Sequence, residues 1–145
     1  MENNNYFIEV DGAYSKDEFL GFISEYLRDN KKITSKNLFL LAIQERERVG
    51  STLIEENFSV PHVEDASIIE SMVFLVRMKT PIQNWSENYP VDTLLFVLIR
   101  PKEGRKTMKK IKKQIQKLAY DETIDVLKFG TKEQVESYFI DEEVE

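Results

Sequence analysis

The apolar residues of this chain change their spacing near residue 50, and that switch limits the possible folds more than any other feature. Before it, Ser15-Lys16-Asp17-Glu18 reads as a capping box, in which a hydroxyl and a carboxylate satisfy the free amides at a helix start. Phe19, Phe22, Ile23, Tyr26 and Leu27 then recur at helical spacing to about Asn30. Thr34-Ser35 offers a second start, with Leu38, Phe39, Leu41, Ala42 and Ile43 as the apolar face of a helix ending within residues 47–50. After the switch, residues 58–60, 68–78 and 93–99 are rich in β-branched and aromatic side chains and predict strands. Residues 104–120 return to helix, with Met108, Ile111, Ile115 and Leu118 on one side and Lys109, Lys110, Lys112, Lys113 and Lys117 around the rest. Residues 124–127 predict a short strand, and residues 131–140 a final helix capped by Thr131. Helices and strands interleaved in this way predict an α/β sandwich, a mixed sheet covered by helices on both faces.

No linker, repeat or low-complexity segment interrupts the pattern. With 145 residues, 41% of them apolar, one domain over residues 1–145 is expected, residues 1–5 being disordered. A net charge of −6 argues against direct contact with nucleic acid, and lysines around an amphipathic helix are usually a solvated surface. No apolar run reaches the ~18 residues needed to span a bilayer, and residues 1–5 lack the features of a signal peptide, so no membrane insertion and a cytoplasmic location are expected. Cysteine is absent, which excludes thiol chemistry by this chain itself.

His62 is the only histidine. With no cysteine and no second imidazole, a metal site is not expected. A lone histidine at a strand end is more often a surface or capping residue than a reactive one, so its neighbours must carry any functional reading. Upstream, Arg46 stands at a helix C-terminus, Ser51 and Thr52 lie in a turn, and the run Phe58-Ser59-Val60-Pro61-His62 delivers the imidazole. That set suits phosphoryl transfer: neutral imidazole attacks phosphorus, a guanidinium neutralises its oxygens through paired N–H donors, and hydroxyl or backbone N–H groups complete the cradle.

The combined spacing resembles the enzyme IIA domains of the fructose and mannitol type (type 2) in the bacterial sugar phosphotransferase system. The resemblance rests on Arg46-Glu47, then Gly50-Ser51-Thr52, then the strand ending in Pro61-His62. It continues through Thr80-Pro81-Ile82-Gln83-Asn84-Trp85, which is similar to a family turn, and through the strand at residues 91–101. It implies a mixed five-stranded sheet with helices on both sides and a phosphocarrier cycle: His62 accepts phosphoryl from the carrier HPr and passes it to a cysteine of an enzyme IIB domain. Arg46 would stabilise the phosphoryl oxygens, with Glu47, Ser51 and Thr52 in support. No cofactor is implied, because phosphohistidine carries the group covalently. The family's second histidine falls, by this register, on Thr107, and the family favours glycines where this chain has Glu55-Glu56-Asn57. The resemblance also implies an alternative, a regulatory domain attached to a sugar-responsive transcription activator or antiterminator, in which phosphorylation of His62 is a signal.

Overall fold

The computed structural model describes residues 6–140, so the expectation of disorder for residues 1–5 lies outside the described residues. The chain divides into two compact units, one ending at Lys102 and the other beginning at Glu103.

The first unit is built on a mixed sheet. Its strands are β1 (Phe7–Val10), β2 (Leu53–Glu55), β3 (Asn57–Ser59), β4 (His62–Glu64), β5 (Met72–Ser86) and β6 (Tyr89–Ile99). The order across the sheet is β1-β5-β6-β3-β2, and β4 also pairs with β6. Because β3 and β4 both run parallel to β6, the sheet is five positions wide, with one position held by two short strands in succession. Pro61 causes the break, since it has no amide hydrogen to donate to a ladder. Pairing resumes at once: the Pro61 carbonyl accepts from the Val97 amide at 2.8 Å, and His62 registers against Val97. The strand expected to end in Pro61-His62 is therefore interrupted for two residues, Val60 and Pro61, and His62 opens the next strand.

Two helices, α1 (Lys16–Asp29) and α2 (Lys36–Val49), pack on this sheet. The capping box at α1 forms as read, with Ser15 and Glu18 exchanging backbone contacts, and Ser35 caps α2. Phe19, Ile23 and Leu27 of α1 and Phe39 and Ile43 of α2 join Phe74, Val76, Leu94, Phe96 and Leu98 in one apolar core. Leu38 and Leu41 do not: they are 58% and 63% exposed, so the inward face of α2 is narrower than the run of apolar residues suggested. On the other side of the strands, Val73, Leu75, Leu95 and Val97 are also buried. The stretch expected to turn at residues 80–85 is instead part of β5, whose pairing with β6 shifts register between Arg77 and Ile82 and again between Ile82 and Ser86; the second shift lets Ile82 and Trp85 both point inward. The expected strand at 68–78 begins only at Met72.

The second unit contains α3 (Arg105–Gln116), a short 3₁₀ turn (Lys117–Ala119), α4 (Asp121–Phe129) and α5 (Lys132–Ile140). Residues 124–127, expected as a strand, lie inside α4: Ile124 and Leu127 are buried three residues apart, a helical rather than an alternating spacing. Thr131 caps α5 reciprocally with Gln134. The turn before it needs Gly130, because a Cβ there would lie 2.6 Å from the Val126 carbonyl oxygen.

Candidate phosphoryl-acceptor site

The local sequence around His62 dictates its presentation. Val60 and Pro61 are buried, Val63 is buried, and His62 and Glu64 alternate outward, so the strand that carries the imidazole is anchored on both sides of it. A backbone hydrogen bond ties the ring to Val60. The Val60 amide is already spent on the Thr52 carbonyl at 2.9 Å, which leaves the Val60 carbonyl as the acceptor and, among the described residues, one ring nitrogen uncommitted.

The residue is exposed, yet the protein around its ring excludes enough water to lower the pKa of His62 below the ordinary imidazole value. The Val60 contact opposes that shift, the Arg46 guanidinium adds to it, and the Glu47 carboxylate opposes it. Arg46 and Glu47 thus both act electrostatically on the imidazole from the last turn of α2. The result is a ring held neutral, and therefore nucleophilic, at neutral pH.

Arg46 donates from Nη1 to the Gly50 carbonyl at 3.2 Å, closing the helix end. Glu47 is the opposite case: its side chain is only 5% exposed, and both oxygens are engaged. Oε1 accepts from Lys16 Nζ at 3.1 Å, and Oε2 accepts from Thr52 Oγ1 at 2.9 Å. Thr52 Oγ1 also lies 2.8 Å from Ser59 Oγ. Since Thr52 has one hydroxyl hydrogen and gives it to Glu47, Ser59 is the donor in that second contact. Ser51 is occupied elsewhere, accepting from the Leu53 amide at 3.1 Å and from Ser86 Oγ at 2.9 Å. It shapes the entry to β2.

Thr107 stands in the first turn of α3, half-buried, in the second unit. Glu55 and Glu56 are exposed, and Asn57 has φ 64°, in the left-handed region. That backbone conformation is what a glycine would accept most readily and what asparagine tolerates, so the departure from a glycine-rich loop is accommodated. Lys16 and Ser59 were not singled out from the sequence. Lys16 lay hidden inside a capping signal, and Ser59 is distinguished only by being a hydroxyl where a fully apolar strand was expected. Among the described residues, no group of three His, Cys, Asp or Glu side chains could hold a metal ion.

The profile of the family described as "Phosphoenolpyruvate-dependent sugar phosphotransferase system, EIIA 2" matches residues 2–142, and the chain belongs to that family. It is 33% identical over 112 residues to a nitrogen regulatory protein of Klebsiella oxytoca, covering 76% of this chain and 68% of that one. It is 29% identical over 95 residues to the 2-O-alpha-mannosyl-D-glycerate-specific EIIABC component of the PTS system of Escherichia coli K12, covering 64% of this chain but only 14% of that much longer protein. Among solved structures, nitrogen regulatory protein IIA-Ntr of Neisseria meningitidis shares the fold with a TM-score of 0.71 at 16% identity, over 93% of this chain and 92% of that one. The Escherichia coli complex of enzyme IIA-mannitol with phosphorylated enzyme IIB-mannitol gives 0.61 at 14% identity, over 93% of each chain.

Proposed function

We propose that this EIIA type 2 domain accepts a phosphoryl group on His62 and hands it on. The observation that carries the reading is the imidazole itself: exposed on an anchored strand, tied at one nitrogen to Val60, and held neutral. The uncommitted nitrogen attacks the phosphorus of a phosphohistidine donor. The donor's imidazole leaves with the bond electrons, and the phosphoryl oxygens gather the charge that Arg46 neutralises. HPr is the donor this reading calls for. An enzyme IIB domain is the receiver, by analogy with the mannitol complex. These partners place the cycle in the cytoplasm. No helix among the described residues is long and apolar enough to cross a membrane.

A regulatory use of the same chemistry is the second reading. It is favoured by Thr107 at the position of the second histidine and by similarity to nitrogen regulatory proteins. Threonine can donate one hydrogen bond to a phosphoryl oxygen but cannot become a cation, so onward transfer would lose a charged partner.

Incubation with phosphoenolpyruvate, enzyme I and HPr tests the shared core of both readings. The domain gains one acid-labile phosphoryl group, and His62→Ala gains none. Labelling of His62→Ala at the parent rate would rule His62 out as acceptor.

A further inference from the structure

Among the described residues, Arg28, Arg48 and Arg77 of the first unit have carboxylate partners, and Arg46 does not. Arg28 Nη2 lies 3.1 Å from Asp29 Oδ1, Arg48 pairs with Glu45 at 2.6 Å, and Arg77 lies 3.8 Å from Glu9. Arg46 has an acidic neighbour in sequence, Glu47, just as Arg28 has Asp29. The Arg28–Asp29 pair shows that adjacent residues near a helix end of this chain can reach each other. Arg46 nonetheless has no carboxylate within salt-bridge reach among the described residues, and its one hydrogen bond is to the Gly50 carbonyl.

The cause is Lys16. Its Nζ donates to Glu47 Oε1 at 3.1 Å and to the Trp85 carbonyl at 2.7 Å, and it sits 4.5 Å from the centre of the Trp85 ring. Three contacts therefore fix one ammonium from the first turn of α1 between α2 and β5. With Thr52 on Oε2, they turn the Glu47 carboxylate inward. We propose that Lys16 is a positioning residue for the His62 site: by holding Glu47 in its buried pocket it keeps that carboxylate off Arg46 and leaves the guanidinium for an incoming phosphoryl oxyanion. This deepens the reading of His62 as acceptor and rests on it for the transfer step.

The charged groups that shift the imidazole are Arg46 and Glu47, both from α2, while Glu64 shares the exposed side of β4. Removing the Lys16 charge leaves Glu47 with a vacated oxygen and a guanidinium one residue away. A Glu47–Arg46 pair then cancels the contribution of Arg46 to His62, and the imidazole pKa rises.

The test uses the single histidine as its own reporter. In Lys16→Met, ¹H–¹³C NMR titration of the unphosphorylated domain shows His62 titrating measurably higher than in the parent. Transfer from phospho-HPr slows roughly fivefold to tenfold, as loss of a charge-assisted contact would cause. Adding Glu47→Gln to Lys16→Met removes the competitor, returning the pKa to or below the parent value and recovering most of the rate. A generic packing defect would not be repaired by a second substitution in the same pocket. Should Lys16→Met not fold, Lys16→Gln carries the same expectations, because it keeps a donor near the Trp85 carbonyl and loses the charge. An unchanged His62 titration in the folded variant overturns the proposal. Because the titration needs no phosphoryl donor, that failure is distinct from a failure of the acceptor reading itself.

Discussion

Thr52 donates its hydroxyl to Glu47 at 2.9 Å, and through that bond the segment leading into β2 is fastened to the last turn of α2. The same oxygen receives Ser59 of β3 at 2.8 Å, so three successive elements meet in one buried chain of hydrogen bonds beneath the helix end that presents Arg46. Thr52→Val keeps the shape and removes the donor, leaving one oxygen of a buried carboxylate unsatisfied. A hydrogen bond to a charged group is worth about 1.5–3 kcal/mol, and a loss of that size is expected in urea denaturation of the variant. A change below about 0.5 kcal/mol would mean that water replaces the hydroxyl freely.

Among the described residues, Arg46 is held by one hydrogen bond, to the Gly50 carbonyl, so its replacement should be felt in transfer more than in folding. Arg46→Ala is expected to slow phosphorylation by phospho-HPr roughly tenfold or more while shifting the urea midpoint little. Arg46→Lys keeps the charge but loses the paired planar donors, and should recover only part of the rate. Equal rates for all three proteins would remove Arg46 from the site.

Protonation supplies a further check, because the folded protein holds the pKa of His62 below its ordinary value, chiefly by excluding water from the ring. Between the lowered folded value and the ordinary value of about 6.5, the unfolded chain binds more protons than the folded one. Stability therefore rises with pH through that window and is lost as pH falls through it. His62→Gln should flatten this component: the stability difference between parent and variant, followed by urea melts from about pH 5 to 8, should grow in the parent's favour as pH rises. The acid limb of the phosphorylation rate should likewise lie below pH 6.5, since only neutral imidazole attacks. A difference that does not depend on pH would contradict the lowered titration.

Much of this was legible in the sequence, and the exceptions have physical causes. The caps at Ser15, Ser35 and Thr131 are local signals, satisfied by neighbours three residues away, and they appear as read. The strand β1 went unread because Phe7-Ile8-Glu9-Val10 is too short to show a period, and it owes its state to parallel pairing with β5. Ile124 and Val126 suggested a strand by residue type, but burial of Ile124 with Leu127 decides the matter in favour of a helix. At the site, the order Arg46, Glu47, Thr52, His62 was visible as a motif. The work of Lys16, 31 residues from Glu47, was not, because no pattern along the chain reports a contact made only when α1 docks beside α2.

The final prediction separates carrier from regulator. Thr107 lies in the first turn of α3, half-buried, and the motif register proposes it as the position of the family's second histidine. In a carrier that has merely lost that partner, Thr107→His should supply a second imidazole able to donate a charged hydrogen bond to the phosphoryl group. Such a bond is worth about 1.5–3 kcal/mol, so transfer from phosphorylated domain to a cognate IIB should accelerate by roughly tenfold. In a regulatory acceptor, neither protein should discharge to any IIB at a useful rate, while both still take phosphoryl from HPr. The paired measurement is a single-turnover assay with purified phospho-domain, run with and without IIB. Acceleration that appears in Thr107→His and vanishes when His62→Ala is added identifies the carrier. Unchanged transfer to a IIB that already discharges the parent would show that residue 107 does not serve as the second histidine's position.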